Sequence, residues 1–169
     1  HGFNIFSAKD NSRAKVTIEY MEEGGLDVAF FAVYIGQDER TPEKYEEVHQ
    51  TALAIFDSVH SAIGRYPQYA AIARNADDAK RLKNEGKHAI YIGIENGYPI
   101  GKDLSKIDAY YNLGARYLTL CHTSNNDICD SSNDPIGPEH NGLSDFGEKV
   151  IERLNQLGMM IDVSHISDS

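Results

Sequence analysis

The chain has 169 residues, 41% of them hydrophobic and 25% charged, with a formal net charge of −10. That is the balance of one globular domain rather than a disordered segment, and the singly scattered Lys and Arg argue against nucleic acid or an anionic membrane surface as partner. No apolar run nears the roughly 18 residues of a membrane span, and HGFNIFSAKDN at the N-terminus lacks the regions of a signal peptide; an export signal would lie outside this chain, and the compartment is not readable.

In chain order, Gly24-Gly25 introduces an apolar run, Leu26 to Ile35, with the make-up of a buried strand, closed by Gly36. Thr41-Pro42 then offers an N-cap and a first-turn proline. Tyr45, Val48, Ala52, Ile55, Phe56, Val59 and Ile63 follow at three- and four-residue spacing, which predicts one long amphipathic helix. Tyr69 to Ala73 reads as a short strand, and Asn75 as the cap of a helix through Leu82 that ends at Gly86. The stretch 88-HAIYIGIENGY-98 is a strand with no polar residue on either face from Ala89 to Ile94, and it runs straight into Glu95. A helix near Asp103 to Leu113 stops at Gly114, 117-YLTLCH-122 is another strand, and a polar loop spans 123 to 143. Ser144 caps a helix that buries Phe146, Val150, Ile151, Leu154 and Leu157, Gly158 stops it, and 159-MMIDV-163 is the last strand.

Strands alternating with helices predict an α/β protein with a parallel sheet, either an open doubly wound sheet or part of a (β/α)₈ barrel. Neither GxGxxG nor GxxxxGK[ST] follows a strand, so nucleotide binding has no chemical support. Three strands end on functional groups: Glu95, His122 and His165. A glutamate after a strand can simply cap a helix, and a strand-end histidine can be an ordinary rim residue. All three on the C-terminal rim is a different matter, because that is where parallel α/β folds collect their chemistry. One carboxylate and two imidazoles suit zinc or a similar divalent ion, and a barrel would unite them across gaps of 27 and 43 residues.

These residues also carry a resemblance. The segments 24-GGLDVAFFAVY-34, 93-GIE-95 and 114-GARYLTLCHTSNN-126, and above all 142-GLSDFGEKVIERLNQLGMMIDVSHIS-167, resemble the membrane (renal) dipeptidase family of binuclear zinc peptidases. The resemblance implies a (β/α)₈ TIM-barrel fold and hydrolysis of dipeptides by a water that bridges two zinc ions. It assigns Glu95 as the carboxylate shared by both metals, His165 as a ligand of the second, and His122 as the histidine that contacts substrate near the scissile carbonyl. Asp162 is a sequence-near candidate to orient the ring of His165.

The family's HxD pair on its first strand is absent from the chain, as are its second metal histidine, its substrate-binding arginine and its aspartate. A barrel takes about 250 residues, so residues 1–169 are expected to form a single partial barrel domain, roughly its N-terminal half to two-thirds. Such a partial barrel would leave strands 26 to 35 and 159 to 163 as edges open to homo-oligomerisation. The family's EGGH is ENGY here, with Asn96 and Tyr98, and Ile128 stands where Trp is frequent; both bear on side-chain preference for the dipeptide. Two other readings are another metal-dependent amide hydrolase on the same barrel and a non-catalytic binding homologue. His1, His49, His60, His88 and His140 are expected in solvent or rim roles, and Cys121 and Cys129 as a buried thiol and a loop thiol.

Overall fold

The computed structural model describes residues 5–7 and 14–168, so His1 and most of the N-terminal reading fall outside the described residues. The elements run α1 (Ile18–Gly24), β1 (Val28–Tyr34), α2 (Pro42–Gly64), β2 (Ala70–Ile72), α3 (Ala76–Asn84), β3 (His88–Glu95), α4 (Ser105–Asn112), β4 (Ala115–Thr119), α5 (Asp145–Leu157) and β5 (Met160–Asp162). The sheet has the order β1-β3-β4-β5, with β2 also pairing β3. Among the described residues no helix is long and apolar enough to cross a membrane.

The chain divides into two compact units, and β1, α2 and β3 each run through both. The first holds the described residues up to Phe31 together with Ala54–Ile92. Its helix α1 was not anticipated, although its signals are in the sequence. Thr17 caps it by accepting the N–H of Tyr20, Gly25 closes it at φ 65, and Ile18 and Met21, three residues apart, face inward. They join Ile5, Ala62, Ile63, Ala70 and Ile90 in one apolar cluster. β2 pairs β3 in parallel, with Ala70 opposite His88 and Ile72 opposite Ile90. Asn75 caps α3 as predicted, accepting from Asp78.

Two expectations need correction in this unit. His88 is buried rather than solvent-facing: its Nδ1 lies 2.9 Å from the Leu26 carbonyl and its Nε2 3.2 Å from the exposed carboxylate of Glu22, so both ring nitrogens have partners. β1 is only half-buried, with Phe30 and Tyr34 44% and 46% exposed. Phe30, Ala32 and Tyr34 alternate along the strand and so share one face, and that face is the exposed one. β3 has partners along both sides and is buried from His88 to Ile94, with only Glu95 partly exposed.

The second unit comprises Ala32–Leu53 and the described part of Gly93–Ser169. Here β4 and β5 pair in parallel, with Tyr117 opposite Met160 and Thr119 opposite Asp162. β4 is shorter at its end than the predicted strand, because the carbonyl of Leu120 is claimed by the N–H of Gly97 and the side chain of Asn126 instead of a strand. Ser144 caps α5 by accepting from Gly147, and Gly158 ends it at φ 66. Gly147 allows the helix to approach the loop: a Cβ there would lie 2.1 Å from the carbonyl oxygen of Ile128. Gly93 has a similar reason, since a Cβ would lie 1.9 Å from the ring of Tyr117.

Candidate metal centre

All three predicted site residues lie in the second unit, and the fold brings them together. Glu95 is the last residue of β3, His122 follows β4 by three positions, and His165 follows β5 by three. One ligand atom from each lies within 4.8 Å of the others. Glu95 Oε1 and His122 Nε2 lie 3.3 Å apart, with side chains 33% and 18% exposed. The rings of His122 and His165 have centroids 4.2 Å apart, and Tyr34 stands edge-on to His122 at 5.0 Å.

Tetrahedral zinc with bonds of about 2.1 Å sets its ligand atoms about 3.4 Å apart, so a spread of this size fits a divalent ion after small side-chain shifts. The donor set fits as well, being one carboxylate and two imidazoles. Nδ1 of His122 is buried with no hydrogen-bond partner among the described residues, and Nε2 is the nitrogen that faces Glu95.

The turn that carries His165 is built by Asp162. Its carboxylate accepts from Thr119 Oγ1 at 2.6 Å, from the N–H of Ser164 at 3.0 Å and from Ser164 Oγ at 2.7 Å. Burial alone would raise the pKa of Asp162, but these donors outweigh it and hold the group below its ordinary value. Asp162 thus ties down the turn that leads to His165, with its acceptors directed at Thr119 and Ser164. His165 itself sits at φ 70, a left-handed conformation uncommon for a residue with a side chain.

The loop 123–143, read from sequence only as polar, is a built element of the site. Asn126 donates to the Leu120 carbonyl at 2.8 Å and to Asn96 Oδ1 at 3.2 Å, while Asn96 donates to the Ile35 carbonyl at 3.0 Å. Two buried amides thus tie together the chain just beyond β1, β3 and β4. Asp130 is fully buried and accepts from the N–H groups of Glu139, His140 and Gly142. Burial pushes its pKa up, yet the Gly142, Glu139 and His140 donors prevail and the group is held low. The density of Asn, Asp and Ser in this stretch was the available signal, because these side chains bond to nearby backbone in turns.

The departures from the family's pattern are structural in this chain. Asn96 adopts φ 80 and is fully buried, and Tyr98 is buried with its hydroxyl donating to the Glu39 carbonyl. Ile128 is also buried, and a Cβ on Gly97 would lie 2.3 Å from its Cδ1. His49 meets Tyr110 at 2.6 Å, and His140 meets the Asn126 carbonyl at 2.9 Å; both rings are partly buried, as is His60. Both cysteines are free and buried, so the loop thiol is a core thiol too.

Comparison with known proteins gives the same direction. The family model of the membrane dipeptidases, peptidase family M19, matches residues 2–169. Dipeptidase verJ of Clonostachys rogersoniana is 32% identical over 161 residues, which is 91% of this chain and 41% of that protein. Dipeptidase 3 of Mus musculus is 31% identical over 94% of this chain and 31% of its own length. The chain thus spans less than half of these curated relatives. Among solved structures, the probable dipeptidase PvdM from Pseudomonas aeruginosa superposes with a TM-score of 0.83 at 31% identity, covering 91% of this chain and 41% of that one. A metallopeptidase from Rhodobacter sphaeroides, solved with a phosphinate mimic of L-Ala-D-Ala, shares the fold with a TM-score of 0.83 at 20% identity, over 98% of this chain and 53% of that one.

Proposed function

Because the chain belongs to the membrane dipeptidase family, peptidase family M19, we propose that the complete protein hydrolyses dipeptides with two zinc ions, to which Glu95 and His165 are ligands. The observation that carries this reading is the convergence of Glu95, His122 and His165 to within 4.8 Å at the ends of three strands. The matched fold supports a partial (β/α)₈ barrel for residues 1–169, which we take as one domain.

Glu95 offers two oxygens on a rigid, buried strand, so its carboxylate is suited to be shared by two cations. His165 offers an imidazole nitrogen on the turn that the Asp162 carboxylate ties to Ser164. When bound, the ions would lower the pKa of a water between them and polarise the scissile carbonyl. His122 is assigned to the substrate: its Nε2 lies on the side of Glu95, 3.3 Å from the carboxylate, and Tyr34 packs against its ring. From there it can hydrogen-bond the carbonyl oxygen as negative charge develops on it. Names of the relatives above, both dipeptidases, support the substrate class.

The test is an assay of the complete protein, stripped of metal and then supplied with zinc, against a panel of dipeptides. Hydrolysis that appears with zinc and disappears with chelator is the expected result. Zinc-loaded protein that cleaves no dipeptide would remove this reading in favour of another amide substrate or a binding role.

A further inference from the structure

One dipeptide of the loop, Ser131-Ser132, hydrogen-bonds the backbone carbonyls of both histidines, and the Cys121 thiol adds a longer contact, 3.7 Å, to that of His165. The hydroxyl of Ser131 donates to the backbone carbonyl of His122 at 2.6 Å. The N–H of Ser132 donates to the carbonyl of His165 at 2.9 Å, and its hydroxyl reaches the same oxygen at 3.2 Å. Adjacent residues therefore grip the backbones of two histidines that arrive from different strands, β4 and β5.

The dipeptide is itself fixed in place. Ser131 is buried, and its N–H donates to Oδ1 of Asn125 at 2.8 Å. Ser131 pairs with Ile166 as an antiparallel bridge, and the N–H of Ser167 donates to the Asp130 carbonyl at 3.0 Å. Beneath it, the Asp130 carboxylate is locked by three N–H groups of the same loop. A carbonyl held in this way fixes the peptide plane next to the Cα, and with it the point from which the ring swings. For His165 this matters more, since a non-glycine residue at φ 70 persists only where its surroundings over-determine it.

We propose that Ser131 and Ser132 are positioning residues that set the spacing of the His122 and His165 rings. They act through the two histidines, and only the kinetic consequence rests on the dipeptidase reading. Loosening this support by tenths of an ångström misplaces the substrate histidine relative to the metal histidine, and small misplacements are costly in rate.

The experiment compares Ser131→Ala and Ser132→Ala with the parent in the complete protein. In the metal-free state, the nuclear Overhauser effect between the His122 and His165 rings should weaken about twofold or more in Ser131→Ala, because a supporting contact is lost. Ser132→Ala keeps the backbone bond and should weaken it less. With zinc bound, Ser131→Ala should lower kcat for a dipeptide roughly tenfold while KM and zinc content stay within about twofold. A merely structural hydroxyl would lower thermal stability and leave the ring-to-ring signal intact. An unchanged signal in both variants overturns the proposal whatever the activity. A weakened signal in a protein that cleaves no dipeptide upholds the brace and removes the dipeptidase reading.

Discussion

Glu95 Oε1 and His122 Nε2 stand 3.3 Å apart, although 27 residues of chain separate them. That distance suits a hydrogen bond and equally one edge of a metal's coordination shell, so His122 is compatible with two roles. The proposed role is contact with substrate, and single substitutions separate the two. His122→Ala should lower kcat/KM roughly a hundredfold or more while metal content stays near that of the parent. Glu95→Ala should lose metal and activity together. Loss of metal from His122→Ala, read by elemental analysis, would make His122 a ligand instead.

Gly147 is predicted to be intolerant for a reason that lies in the backbone. A Cβ there would meet the Ile128 carbonyl oxygen at 2.1 Å, and a backbone atom cannot swing aside as a side-chain tip can. Gly147→Ala should destabilise the protein by about 1–3 kcal/mol through overpacking, despite the better helix propensity of alanine. Thermal unfolding checks this, and a melting temperature equal to or above the parent's contradicts the close approach of α5 to the loop.

Asp130 in the loop should make the fold acid-sensitive. Asp130 has a folded-state pKa held below its ordinary value, with the Gly142, Glu139 and His140 donors overcoming burial. Such a group contributes its full stabilisation above the unfolded pKa, near 3.9, and loses it as pH falls through the lower folded value. Asp162 follows the same sign. Asp130→Asn should therefore lower stability at neutral pH by about 2 kcal/mol and flatten the fall in stability below about pH 4. Melting temperatures of parent and variant across that range test it, and parallel curves would show that Asp130 is not the titrating anchor.

The two ends of the strand order carry exposed apolar residues, Phe30 and Tyr34 on β1, and Met160 on β5 with Val163 just beyond it. Unpaired edges of this kind recruit other chains. Residues 1–169 prepared alone should scatter light as a species heavier than 18.8 kDa. A monodisperse monomer with a cooperative melt would show that these edges are adequately protected.

The strands that bear Glu95, His122 and His165 were legible because each is a compact apolar run closed by glycine or a polar cluster, and burial of both faces of β3 followed from its lack of polar residues. Legibility failed where the outcome depended on neighbours distant in sequence. β1 has the same apolar make-up as β3, yet the face that carries Phe30 and Tyr34 is exposed, and nothing local distinguishes the two. His88 was read as preceding a strand and so as a rim residue, yet it begins β3 and is buried, with its ring nitrogens bonded to Leu26 and Glu22. The loop 123–143 showed its turn-forming composition but not its partners, because Asn126 finds Asn96 thirty residues away. The resemblance supplied the roles of the three site residues, which spacing alone could not distinguish.

Glu95 and His165 are proposed to hold zinc at the strand ends. Anomalous diffraction at the zinc absorption edge, from crystals of the complete protein, tests it most directly. Two peaks are predicted, both within bonding distance of the Glu95 carboxylate and one within bonding distance of an imidazole nitrogen of His165. Zinc-soaked crystals with no anomalous peak at Glu95 would contradict the account.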